Sequence, residues 1–190
     1  MQMLEERIRR DGKVYPGDVL KVDSFLNHRI DVAFLSAIGK EFYKLYQNEG
    51  VSLILTVEAS GIGVACLAAV EFGCPVVFAK KSKTSNIGNA FWSATAHSYT
   101  HGNDSTLIVS KDYLGKGDRV LILDDFLANG CAATALTEIC HAAGAEVVGI
   151  GAVIEKVYQK GGEALRAKGF RVESLARIAS MSPEAGIEFC

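Results

Sequence analysis

Apolar residues recur along this chain in two alternating registers. Short, nearly uninterrupted apolar runs of strand length are followed by longer stretches with helical spacing. The first such unit reads "VSLILTVE" (51–58), a glycine-containing turn "ASGIG", and a helix "VACLAAVEFG" closed by Gly73. "CPVVFAKK" (74–81) is its closing strand. The second unit begins at "DRVLILDD" (118–125), turns through "FLANG", and continues as the helix "CAATALTEICHAAG". "AEVVGIGAVIEK" (145–156) closes it. Strands without polar alternation, separated by helices, predict an α/β fold with a mainly parallel sheet and helices on both faces.

The flanking segments are less regular. Residues 3–11 suit a short amphipathic helix with Leu4 and Ile8 on one side, and 14–27, "VYPGDVLKVDSFLN", are mixed and turn-rich. A longer helix is expected over 31–48, where Val32, Leu35, Ile38, Phe42 and Leu45 form a core-facing stripe. Between the two units lies "KSKTSNIGNAFWSATAHSYTHGNDSTLIVS" (81–110). It is rich in Ser, Thr, Asn and Gly but carries Phe91, Trp92 and Tyr99, which a plain linker rarely needs. A β-hairpin or mobile flap at about 82–106, beside a site, is the expectation.

Composition narrows the class. A chain of 190 residues suits one domain, 1–190, and needs no disulfide or metal staple. The formal net charge of -2 offers no basic excess for nucleic acid or an anionic membrane. Cys66, Cys74, Cys131, Cys140 and Cys190 are odd in number and contain no CxxC pair, so they read as reduced thiols in a cytoplasmic protein. The N-terminal "MQMLEERIRRDGKVYPGD" has no apolar signal region, and no run approaches 18 apolar residues, so neither secretion nor membrane spanning is expected.

"VLILDDFLANGCAA" (120–133) carries the candidate chemistry. Ligands of an open parallel sheet bind beyond the carboxyl ends of its strands, where Asp124 and Asp125 are expected. The turn behind them leads into a helix near Cys131, whose free N–H groups and positive dipole end attract an anion. Gly130 permits a tight turn and close approach of a phosphate. Carboxylates that can hold vicinal hydroxyls or a metal thus stand beside a phosphate cradle, and a ribose 5-phosphate meets both. A nucleoside triphosphatase would need GxxxxGK[ST], which is absent. "SGIGVAC" has Gly61 and Gly63 but Cys66 in third place, an incomplete dinucleotide fingerprint. The bland alternative is a strand end or helix cap.

The same segment resembles the phosphoribosyl-pyrophosphate (PRPP) motif of the type I phosphoribosyltransferases. "LKVDSFLNH" (20–28), "TVEASGIG" (56–63) and "VIEK" (153–156) resemble the xanthine branch of that family, and the likeness covers nearly the whole chain. It implies transfer of phosphoribosyl from PRPP to xanthine in purine salvage, with guanine or hypoxanthine as rival bases. A PRPP-sensing regulator that binds nucleic acid is the other alternative, but the hood begins almost at once and the charge is -2. The resemblance implies that Asp124 and Asp125 hold the ribose and favour its developing cation, and that Ala128, Asn129, Gly130, Cys131 and Ala132 wrap the 5′-phosphate. It implies a pyrophosphate loop at Ala59, Ser60 and Gly61, though Ser60 alone reads equally as a helix cap. Lys80 and Lys81 would neutralise pyrophosphate, although a bare pair of lysines is more often solvated. Tyr99, with Ser98 and Thr100, belongs to the flap. Leu20, Asn27, Phe126 and Lys156 are implied purine contacts; Lys156 alone would read as a solvated strand end. A small hood subdomain is implied from about 1–30 and the C-terminal tail. So are Mg²⁺ arriving with PRPP rather than on direct protein ligands, and a homodimer. No histidine is assigned a catalytic role.

Overall fold

The structure is a computed structural model that describes residues 1–82, 90–96 and 105–190. A six-stranded sheet forms the frame. Its strands are β3 (Leu53–Val57), β4 (Val76–Ala79), β7 (Arg119–Leu127), β8 (Glu146–Lys156), β9 (Val172–Ser182) and β10 (Gly186–Phe189). The order is β10-β9-β8-β7-β3-β4, and every pairing is parallel except β10 with β9. The mainly parallel sheet expected from the apolar runs is present.

Alternation along β7 sends side chains into two cores. Leu121 and Leu123 join α1 (Gln2–Asp11), α2 (Val32–Tyr46) and α3 (Ser60–Phe72) on one face. Val120 and Ile122 join α4 (Cys131–Ala143) and α5 (Gly161–Ala167) on the other. Burial on both faces explains why β3 and β7 carry almost no polar residue before Asp124. Asp31 begins α2 by accepting a 3.1 Å hydrogen bond from the Phe34 N–H. Gly73 and Gly144 close α3 and α4 in the left-handed region, where glycine avoids a Cβ penalty.

Four readings change. The buried face of α2 is Phe34, Leu35, Ile38, Phe42 and Tyr46, whereas Val32 is 61 % exposed. As the first residue of the helix, Val32 lies outside its buried face. The supposed turn "SGIG" is the first turn of α3. Residues 14–27 hide a hairpin of β1 (Lys13–Tyr15) and β2 (Val19–Lys21), too short to show alternation. β7 continues through Phe126 and Leu127 instead of stopping at the carboxylates, because β8 pairs with it as far as Leu127↔Glu155.

In the flap region, β5 (Phe91–Ala96) pairs antiparallel with β6 (Ser105–Ser110), and the Trp92 indole N–H donates to the Leu114 carbonyl. Ser98, Tyr99 and Thr100 lie outside the described residues. At the other end of the sheet, α1 packs on β9 with the N-terminal amine donating to the Leu175 carbonyl, and β1 lies against β9. No helix among the described residues is long and apolar enough to cross a membrane.

The α2 aromatics seat on glycines of β8. A Cβ at Gly151 would stand 2.7 Å from the Phe42 ring, so strand and helix approach through a missing side chain. Phe42→Ala is expected to cost about 3–5 kcal/mol of unfolding free energy. Val32→Ala, despite its place in the sequence stripe, is expected to cost no more than about 0.5 kcal/mol. Urea denaturation of the two variants checks the pair.

Candidate active site

Asp124 and Asp125 occupy successive positions near the carboxyl end of β7. Successive strand residues leave the strand on opposite sides, yet at this end of β7 both carboxylates reach the wall of one cavity. Asp125 is buried, and two distant segments hold it. The Asn27 Nδ2 donates to Oδ2 at 2.8 Å, and the Ser60 hydroxyl donates to Oδ1 at 3.0 Å. Asp124 is half-buried and accepts the Asp125 backbone N–H at 2.9 Å. Removal from bulk water, and then the neighbouring Asp125 charge, push the Asp124 carboxyl well above the usual carboxylate range; Lys81 opposes this weakly.

Two cavities touch this pair, and a third adjoins the first of them. One of about 180 Å³ is lined by Asp124 and Phe126 and by the whole turn from Leu127 to Ala133. Gly130 stands there at φ 80 as the residue before α4, and the Asn129 side chain accepts the Cys131 N–H at 3.2 Å. The backbone therefore presents the helix's N-terminal amides to the cavity, the arrangement that attracts a phosphate. A second cavity of about 240 Å³ lies between Glu58, Ser60 and Lys81 on one side and Asp124, Asp125, Asn129 and Cys131 on the other. Here α3 begins. A Cβ on Gly61 would collide with Thr56 Oγ1 and lie 2.9 Å from Asp124 Oδ1, so only glycine lets this helix start approach the carboxylates. The Lys81 N–H donates to the Glu58 carboxylate at 2.7 Å, and the Glu58–Ala59 peptide bond is cis.

The third cavity, about 420 Å³, is lined by Gly17, Asp18, Val19, Leu20, Phe126, Ala128, Lys156 and Gln159. Lys156 ends β8, half-buried; its ammonium donates to the Asp18 carbonyl at 2.5 Å and stands 5.7 Å from the Phe126 ring centroid. Burial pulls the Lys156 pKa below the ordinary lysine value, partly offset by the Asp18 charge. The first cavity shares Asp124 and three turn residues, Asn129, Cys131 and Ala132, with the second, and Phe126 and Ala128 with the third, so the three spaces adjoin.

The site residues expected from sequence divide accordingly. Asp124, Phe126 and 128–132 converge at the first cavity, Ser60 and Lys81 at the second, and Leu20 and Lys156 at the third. Ala59 and Gly61 flank Ser60 at the start of α3. Lys80 does not join them: it bridges to Ile108 and lines a separate space with Phe78 and Tyr113. Past the end of β4, its backbone pairs with Ile108, while Lys81, one residue on, reaches the second cavity. Asn27 is bonded to Asp125 rather than placed on the wall with Leu20. Tyr99 lies outside the described residues. Sequence reasoning missed Gln159, Asp18 and Glu58. Gln159 stands one helical turn after Lys156 in "KVYQ", which was its only signal.

The profile of the phosphoribosyl transferase domain matches residues 27–173. A xanthine phosphoribosyltransferase of Lachnoclostridium phytofermentans is 52% identical over 98% of this chain and 96% of its own length. One from Bacillus cereus is 48% identical over 97% and 94%. Among solved structures, an adenine phosphoribosyltransferase of Giardia lamblia complexed with 9-deazaadenine superposes with a TM-score of 0.76 over 92% of this chain and 97% of that one, at 24% identity. The Saccharomyces cerevisiae adenine enzyme gives 0.73 over 92% and 99%, at 20% identity. At such identities the structural likeness concerns the fold alone.

The strained carboxyl has a measurable signature. With its folded pKa raised, Asp124 keeps a proton that the unfolded chain has already released, so its contribution to stability falls as pH rises through the folded value. Asp124→Asn removes that penalty. The variant is expected to lose less stability than the parent as pH rises above the ordinary carboxylate range, and to melt above it once the Asp124 carboxyl of the parent is forced to ionise. Calorimetric melting at several pH values checks this.

Proposed function

This chain belongs to the phosphoribosyl transferase family, and from that premise we infer that it transfers the 5-phosphoribosyl group of PRPP to xanthine, giving xanthosine 5′-monophosphate and pyrophosphate. The observation that carries the reading is the track of adjoining cavities. A space floored by helix-terminal amides shares Asp124 with the space that holds both carboxylates, and Phe126 and Ala128 with the space that holds an aromatic ring and a lysine, so sites suited to phosphate, ribose and base adjoin one another.

In this reading the 5′-phosphate accepts hydrogen bonds from backbone amides within 129–132. The ribose hydroxyls donate to Asp124 and Asp125. The pyrophosphate lies toward Ser60, Lys81 and the start of α3, while Lys80 has no part in it. The bond from the anomeric carbon to pyrophosphate breaks, the base nitrogen bonds to that carbon, and the base gives up its N–H proton. Positive charge builds on the sugar in between, and carboxylates fixed before the reaction stabilise it without reorganising. Asn27 and Ser60 keep Asp125 in place for this.

Mg²⁺ fits the donor set. Two carboxylates open to phosphate-sized spaces, one of them raised by burial and by its neighbour's charge, suit an ion that prefers few protein ligands and several phosphate oxygens. Asp124 and Asp125 would lie nearest to it, through ribose oxygens or water. When bound, Mg²⁺ neutralises charge on the leaving pyrophosphate.

For the base, Phe126 and Leu20 offer apolar walls and Lys156 a donor. An ammonium has three donors and no acceptor, so it serves a 6-oxo group and not the 6-amino group of adenine. Gln159 carries both donor and acceptor and can reach the base from the same wall. The hood of about 1–30 with the C-terminal tail, the flap at about 82–106, a cytoplasmic location and a homodimer complete the reading on the family resemblance.

Turnover in mixtures of equimolar bases with PRPP tests the assignment. Xanthine is expected to have the highest kcat/KM, with adenine roughly 10⁴-fold lower because Lys156 would be left unpaired. Preference for guanine or hypoxanthine would reject xanthine and keep the phosphoribosyl chemistry. Asp124→Asn, although more stable once the parent's carboxyl ionises, is expected to lose about 10²–10³-fold in kcat.

A further inference from the structure

The turn that lines the phosphate cavity has a partner that neither the motif nor the cavity reveals. Gly161, the first residue of α5, is buried and donates its N–H to the Ala128 carbonyl at 3.0 Å. The two backbones meet without any side chain between them. A Cβ on Gly130 would lie 3.1 Å from the Gly161 Cα. A Cβ on Gly161 would lie 2.5 Å from the Asn129 carbonyl carbon and closer still to the Ala128 oxygen and the Gly130 nitrogen. All three are backbone atoms of the turn, so none can swing aside as a side-chain tip could.

Gly161 is itself anchored. Glu155, next to Lys156 on β8, is 1 % exposed and receives a bidentate pair from the Arg166 guanidinium of α5, at 2.9 and 3.0 Å. Burial alone would push the Glu155 carboxyl up, but the Arg166 hydrogen bonds and charge hold it below its ordinary value. Arg166 also donates to the Val172 carbonyl on β9. A single 3-10 turn, Val157–Gln159, joins Lys156 to α5, and Lys160 follows it at φ 63. One short, pinned segment therefore carries the base-facing lysine at one end and touches the phosphate turn at the other.

Resting on the function proposed above, we propose that Gly161 is a positioning residue: its backbone, clamped to β8 through Glu155 and Arg166, holds the 128–130 turn in its phosphate-binding shape and fixes its distance from Lys156. The span between phosphate and base is a property of the nucleotide. A segment tied to both ends of the track sets it without touching either ligand.

Calorimetric titration of Gly161→Ala with PRPP and, separately, with pyrophosphate tests this, both with Mg²⁺ present. The added methyl displaces the 128–130 turn but not the start of α3. PRPP affinity is expected to fall about tenfold or more, the scale of a misplacement near 1 Å. Pyrophosphate affinity is expected to fall clearly less, because its space meets the turn along one wall and is bounded on the other by Glu58, Ser60 and Lys81, which the added methyl leaves in place. Unchanged PRPP affinity in the folded variant, or an equal loss for both ligands, overturns the brace. Failure of the wild-type chain to bind PRPP would overturn the phosphate assignment and this inference with it. Hydrogen exchange on the wild type settles the matter even if the variant does not fold. PRPP should slow the amides of Gly161 and Gly162 as well as those of 129–132, and protection confined to 129–132 would contradict the proposal.

Discussion

Two negative charges cannot sit side by side near a buried strand end unless something else arranges their surroundings. At Asp124 and Asp125 the surroundings come from three parts of the chain. Asn27 and Ser60, from two separate segments that precede β7, grip the two oxygens of Asp125. Gly61 lets the positive end of α3 press against Asp124. The 128–132 turn then opens the positive end of α4 on the other side. With Asp125 held, the cost of the second charge falls on Asp124, whose carboxyl resists ionisation. The pair is short of positive charge until a ligand supplies hydroxyls, a cation or an oxocarbenium-like centre. In the proposed reaction, stability is given up locally at the carboxylates that would face the transition-state charge.

Much of this was legible in the sequence because the responsible signals are local. Apolar runs without alternation marked the parallel strands, and Gly73 and Gly144 marked helix ends. "DDFLANG" announced both carboxylates and an anion-binding turn within seven residues. What escaped depends on tertiary geometry. Val32 fits the helical period but lies outside the buried face of its helix. Lys80 and Lys81 look equivalent in sequence, yet Lys80 is bridged to Ile108 and the two line different spaces. The hairpin at 13–21 has three-residue strands, too short for a period-two signal.

Asn27 is the instructive residue. The family resemblance implied a purine contact, whereas its amide is engaged by Asp125, a residue 98 positions away. No pattern within "LKVDSFLNH" reports that distance. Gly161 is hidden for the same reason. A glycine that opens a seven-residue helix looks ordinary until the Ala128 carbonyl is found against it.

The account's central claim is that phosphate, ribose and base lie along one track laid out by the ends of β7 and β8. A crystal structure with xanthosine 5′-monophosphate tests it most directly. The account predicts phosphate oxygens at about 2.7–3.2 Å from amide nitrogens within 129–132. It places the ribose hydroxyls on Asp124 and Asp125, and the purine beside Phe126 with Lys156 moved from the Asp18 carbonyl to the 6-oxo group. A phosphate bound away from that turn, or a purine outside the cavity of Leu20, Phe126 and Lys156, would contradict it.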